Sequence, residues 1–204
     1  MDILSLDAAD FSPEFHLDPP RSLRVVNLVF GLPPRPVNAS FRKLWSDYTK
    51  LCDRVCWFIC DSPLEVLRVT IEHGCLQLRN ADCGILVDKI IENHWETMQL
   101  LELPEKMIIQ RDTFKKLLRS CVNLEQLEIG IRGGRECLAT FIRHAVGLHY
   151  LHTAHLHCEN LKLEASHERW LVACNAKEIM KTVKGLRSFS VNKNVHAVRL
   201  YHCV

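Results

Sequence analysis

A short apolar phrase recurs along the chain in the form L-x-x-L-x-L, where any bulky apolar residue can stand for leucine. Leu64, Leu67 and Val69 carry it, as do Met98, Leu101 and Leu103, then Leu124, Leu127 and Ile129, then Leu186, Phe189 and Val191. Leu23, Val26 and Leu28 fit it as well. Leu148 and Leu151 make a weaker copy, with Thr153 in the third place. The last two positions of each phrase have one residue between them, the spacing of side chains on one face of a strand. Polar residues stand in the gaps: Arg68, Glu102, Gln126, Glu128, His152 and Ser188. A parallel strand buried on both faces reads as a continuous apolar run. Alternation instead predicts a sheet with one packed face and one face open to water.

A helical pattern precedes every phrase after the first. Phe114, Leu117, Leu118 and Cys121 lie at helical spacing behind Asp112 and Thr113, either of which suits an N-cap. Upstream, Phe41, Leu44, Trp45, Tyr48, Cys52, Val55, Cys56 and Ile59 form a stripe, with Ser40 placed to cap it and Pro63 to stop it. Gly147 and Gly185 stand where helix C-caps belong. Strands alternating with helices favour a parallel sheet joined by right-handed crossovers. The phrase returns unevenly: the step from Leu124 to Leu148 is much shorter than the step from Leu23 to Leu64. The expected fold is α/β: an irregular leucine-rich-repeat-like solenoid, right-handed, with parallel strands on one face and helices on the other. Residues 23–204 are expected to form one domain, closed by a C-terminal hairpin turning at Asn192-Lys193-Asn194. Residues 1–22 are rich in Asp and Pro and are expected to form a flexible arm or a cap.

The segment LLRSCVNLEQLEIGI resembles the cysteine-containing leucine-rich repeats of F-box proteins, in which C-x-x-L-x-x-L-x-I follows a helix. Cys121, Leu124, Leu127 and Ile129 match it, and Cys60, Leu64, Leu67 and Val69 match it with one residue of slippage. The resemblance covers roughly residues 40–192, and its style resembles the degenerate repeats found downstream of F-boxes in many fungal proteins. It implies a protein–protein interaction module, with substrate recognition in a cullin-type ubiquitin ligase as its role. An F-box opens with a Leu-Pro-x-Glu phrase, which MDILSLDAADFSPEF does not supply. The resemblance therefore concerns the repeats alone.

Composition narrows the partners. The 204 residues carry 26 basic and 24 acidic side chains, a formal net charge of +2. That is far from the strongly basic footprint of a nucleic-acid binder, so no nucleic-acid partner is expected. The apolar runs are too short to span a bilayer. The N-terminal residues lack the basic and apolar regions of a secretory signal. No membrane association is expected, and the reading is cytoplasmic or nuclear. Ten cysteines occur without a CxxC pair, and in that setting they read as reduced, buried small hydrophobes. Cys52, Cys56 and Cys60 would line one helical face as an apolar seam. The Asn38-Ala39-Ser40 sequon reads as a helix start, not as a glycan site.

The candidate partner-binding surface is the open sheet face: Arg68, Thr70, Glu102, Gln126, Glu128, Tyr150, His152 and Ser188, with Val66, Leu100 and Ser190 beside them. Solenoids bind partners on such faces, and Tyr and Arg are common anchors. An alternative uses the histidine-rich segment 144–158 for metal binding or catalysis. Imidazole and thiolate are the ligands zinc prefers, and His152, His155, His157 and Cys158 are the candidates. A truncated, non-functional remnant is the third reading. Arg132-Gly133-Gly134-Arg135 opens a helix, a place that can hold an anion. The chain has no GxSxG, no phosphate-cradling glycine loop and no HExxH. No enzyme activity and no cofactor are expected.

Overall fold

The computed structural model describes residues 3–7, 21–30, 52–71, 81–159, 161 and 178–192. Apolar alternation in these segments produces nine strands in one sheet, and every pairing in it is parallel. They are β1 (Ile3–Asp7), β2 (Val25–Phe30), β3 (Val66–Ile71), β4 (Ala81–Asp82), β5 (Leu100–Glu102), β6 (Met107–Ile109), β7 (Gln126–Ile131), β8 (Thr153–Cys158) and β9 (Ser188–Val191). Seven of them lie side by side in chain order, β1-β2-β3-β5-β7-β8-β9. The short strands β4 and β6 form a branch, with β6 on the last residues of β7 and β4 on β6.

The helices are α1 (residues 52–59), α2 (Gly84–His94), α3 (Arg111–Ser120), α4 (Arg135–His144) and α5 (residues 178–182). Helix α2 packs on α3, and α3 on α4. Arg111 pairs with Glu136 at 2.6 Å near the start of α3 and α4, and Arg119 bonds to His144 at 3.3 Å near their ends. The two links join residues equally far apart in sequence, so the two helices run parallel and in step. No helix among the described residues is long and apolar enough to cross a membrane.

The parallel register stacks equivalent phrase positions into rows. Val26, Leu67, Leu101, Leu127, Ala154 and Phe189 form one row on the packed face. All six are at most 2% exposed. Ile129, Leu156 and Val191 form the next. These rows and the apolar faces of the helices make one core. Phe141 of α4 sits in it, with ring centroids 6.3 Å from Phe114 and 5.6 Å from Phe189.

The structure corrects the phrase at β8. Ala154 stands beside Leu127, so the copy begins at Leu151 and runs through Ala154 to Leu156. Thr153, expected to point inward, lies with Gln126 and Ser188 on the opposite face. An alanine occupies the middle position and does not register in a search for bulky side chains. Leu148 is buried just after the 3-10 turn Ala145–Gly147. With the phrase moved to Leu151, the steps Met98–Leu124 and Leu124–Leu151 become nearly equal.

Helix α3 starts two residues earlier than a cap at Asp112 would place it. Its N-cap is Gln110, with no side-chain cap bond, and Thr113 is buried. Asp112 lies in the first turn, where a carboxylate faces the positive end of the helix dipole. Gly185 answers to packing: a Cβ there would lie 2.9 Å from the His149 carbonyl oxygen. Residues 3–7 belong to the sheet as its outer strand beside β2, so this part of the N-terminal segment is not a loose arm. The stripe from Phe41 to Tyr48, the sequon and the C-terminal hairpin lie outside the described residues.

Candidate functional site on the open sheet face

On the face away from the helices, the register lays out two further rows. One runs Val25, Val66, Leu100, Gln126, Thr153, Ser188. The other runs Asn27, Arg68, Glu102, Glu128, His155, Ser190. A shallow groove of about 170 Å³ lies between them, bordered by Leu100, Glu102, Gln126, Glu128, Thr153 and His155. Its floor is apolar at Leu100 and its walls are polar.

The charges along the second row are tied across strands. Arg68 Nε lies 3.3 Å from Glu102 Oε2, both side chains about half exposed. Glu128 Oε1 lies 3.1 Å from His157 Nε2, with the histidine side chain 8% exposed and the carboxylate 18%. His155 Nδ1 and Ser190 Oγ share a 2.6 Å hydrogen bond whose direction follows the imidazole tautomer. Asn27 Oδ1 is buried without a protein hydrogen-bond partner. At the end of β7 the backbone of another segment closes in. A Cβ at Gly130 would stand 2.5 Å from the Met107 carbonyl oxygen and 3.0 Å from that of Glu105. Only glycine fits there, which is the ordinary meaning of a glycine inside a strand.

Of the residues expected on this face, Arg68, Thr70, Glu102, Gln126, Glu128 and Ser188 lie on its strands, with Val66, Leu100 and Ser190. Tyr150 does not. It is 63% exposed in the turn before β8. His152 also precedes the strand, where its Nδ1 lies 3.1 Å from Thr153 Oγ1 and its Nε2 3.8 Å from Glu125. Both misplacements follow from starting the β8 phrase at Leu148. The residues that take their place are Thr153, His155 and His157, which the strand period points to once Leu151 is taken as the start.

The histidine-rich segment does not assemble as a ligand set. Cys158 is buried in the core on the packed face, opposite His155 and His157, because neighbouring strand residues point to opposite sides. His152 lies off the strand. Among the described residues, no group of three or more His, Cys, Asp or Glu is arranged to hold a metal ion. In the Arg132–Arg135 loop, Arg132 Nε is 3.3 Å from Glu159, and Gly133 supplies a φ of 130°.

The described cysteines are free thiols: Cys52, Cys56, Cys60, Cys83, Cys121, Cys137 and Cys158. Burial, reinforced by Cys52 and Asp53, pushes Cys56 up to about 12. Burial alone takes Cys121 to about 12, and burial also raises Cys83. Thiols held protonated in this way are poor nucleophiles. Cys137 differs. A hydrogen bond from the Cys158 thiol lowers it and raises Cys158.

Fold and groove together define an α/β protein with an open-faced parallel sheet that carries a polar surface across adjacent strands. Compared with models of known protein families, with curated proteins and with solved structures, the chain matches none.

Proposed function

We propose that this chain is a leucine-rich-repeat-like solenoid that binds a protein partner on its open sheet face and acts by recognition, without catalysis. The observation that carries this reading is the row Arg68, Glu102, Glu128, His155, Ser190 on five adjacent strands. A row of this kind spreads hydrogen-bonding and charged groups along a line that an extended segment or a surface loop of a partner can follow. An apolar strip through Val66 and Leu100 runs beside it, the pairing of apolar centre and polar rim common to protein interfaces. The nearly equal steps from Met98 to Leu124 and from Leu124 to Leu151 support the solenoid reading. The resemblance of Cys121, Leu124, Leu127 and Ile129 to F-box-protein repeats favours substrate recognition in a cullin-type ubiquitin ligase as the setting.

The test is affinity capture from native lysate with three baits: wild type, Arg68→Ala/Glu102→Ala/Gln126→Ala, and Tyr150→Ala. A partner held by wild type and Tyr150→Ala and lost from the triple variant supports the reading. Cullin-ligase subunits among the partners lost would extend it to the ligase. Equal recovery by all three baits would sink the open face as the binding surface.

A further inference from the structure

A second surface lies on the helical side, between α3 and α4. A groove of about 330 Å³ there is lined by Arg111, Asp112, Lys115, Glu136, Arg143 and His144, among others. Its charges are sorted along its length. At the N-terminal end of the two helices Arg111 is neutralised by Glu136 at 2.6 Å, with Asp112 beside it. From mid-groove to the C-terminal end the lining is Lys115, Arg143 and His144, and Arg119 Nε donates to His144 Nδ1 at 3.3 Å. Neighbouring lysines on the helices are matched, Lys116 by Asp88 at 3.5 Å and Lys89 by Glu92 at 2.6 Å. Lys115, Arg119 and Arg143 have no carboxylate partner within ion-pair distance among the described residues.

Part of this basic character has an ordinary cause, since cations are favoured near helix C-termini. That effect accounts for Arg119, Arg143 and His144 one helix at a time. It does not account for Lys115, which lies mid-helix and faces the same groove. Parallel packing of α3 on α4 brings both sets to one place, and like charges gathered without a counter-charge cost stability. Their mark is on His144. Partial desolvation, then Arg119, Lys115 and Arg143, hold its imidazole below the usual histidine range.

We infer that the C-terminal end of the α3–α4 groove is a binding site for a phosphate-bearing polyanion, held by Lys115, Arg119, Arg143 and His144. Phosphate suits the donors. Arginine offers a planar fork to two phosphate oxygens and lysine a point charge to another. A group of several phosphates fits the groove better than one, because its cations come from two helices. A bound polyanion favours protonation of His144, which adds a positive charge to the site as the Arg119 Nε–His144 Nδ1 hydrogen bond gives way. Arg119, Lys115 and Arg143 oppose that charge, Asp112 and Glu136 face the groove from its other end, and a bound polyanion outweighs the three cations.

The probes are inorganic tripolyphosphate, followed by calorimetry at physiological ionic strength, and phosphatidylcholine vesicles with and without phosphatidic acid, followed by co-sedimentation. The proteins are wild type, Lys115→Ala/Arg143→Ala, and Lys89→Ala/Lys116→Ala as a control with the same charge change on α2 and α3. Wild type and control are expected to bind, with the groove variant at least roughly tenfold weaker. Its thermal midpoint should stay within a few degrees of wild type, because the repulsion removed is offset by the lost helix-dipole contribution of Arg143. Binding of tripolyphosphate identifies a soluble ligand, and binding of acidic vesicles alone identifies a lipid headgroup; either supports the site. The His144 imidazole, followed by NMR, should titrate at higher pH once tripolyphosphate is bound. Failure of wild type to bind either probe, or equal loss in variant and control, overturns the site.

Discussion

Glu128 and His157 form the shortest contact involving a carboxylate on the open face, and they set what a substitution there does. With His157 buried and 3.1 Å away, Glu128→Ala strands a polar ring and should cost about 1–3 kcal/mol in urea unfolding. Glu128→Gln keeps an acceptor and should cost less. Leu127, one residue earlier, is 1% exposed in the packed row, and Leu127→Ala should cost about 2–5 kcal/mol. A cost for Glu128→Ala below that of Arg68→Ala would show that the His157 contact does not hold in solution. His94 makes a different prediction. It is 2% exposed, and neither ring nitrogen has a protein hydrogen-bond partner. Burial holds its pKa below 6.5. The folded state therefore resists protonation while the unfolded chain accepts it. Stability should be level at neutral pH and fall as pH drops below about 6.5, the ordinary histidine value. Thermal melts across that range check it, and His94→Leu should flatten the dependence.

The elements differ in how plainly their residues announce them. Strands β3, β5, β7 and β9 follow from leucine phrases in which polar residues interrupt the apolar ones. Strand β8 escapes the phrase because its row position holds Ala154, whose single methyl group carries no pattern; it is defined by standing beside Leu127 and Phe189. The start of α3 is obscured for a related reason. Asp112 and Thr113 are good capping residues, yet Thr113 is needed in the core and the helix begins at Arg111. The short strands β4 and β6 carry no periodic signal at all. They exist because β7 has an unpaired edge beyond Glu128 and backbone groups there need partners. Where elements meet, Phe141 joins α3, α4 and β9 through Phe114 and Phe189. Phe141→Ala should cost about 3–5 kcal/mol, read as a lowered denaturation midpoint. Native-state alkylation should spare Cys56, Cys83 and Cys121, whose thiols burial keeps protonated, and unfolding should release all three to the reagent.

Across the described residues, the sheet has one face packed under the helices and one open face, which carries the proposed binding surface. The packed face is continuous from β2 to β9, so damage at any row should lower the stability of the whole. The exposed positions of the open face should be dispensable to folding. Arg68 and Glu102 are about half exposed, and a pair of that kind contributes about 0–1 kcal/mol. Arg68→Ala/Glu102→Ala should therefore melt within a few degrees of wild type while losing the proposed partner. A collapse of the fold in that variant would make the row structural.

The amino acids of this chain suffice to specify strands that alternate with helices, a sheet packed on one side, and most residues of its open face, because side-chain periodicity is a local property written into each segment. Arg68, Glu102, Gln126 and Glu128 could be assigned to a face from their neighbours alone. What only the tertiary arrangement decides is register. The pairing of β8 with β7 removes Tyr150 and His152 from the face, brings in His155 and His157, and turns Cys158 into the core. The parallel packing of α3 and α4 gathers Lys115, Arg119, Arg143 and His144 from two segments well separated in sequence. Contacts between distant segments depend on how whole elements align, and no local pattern carries that information.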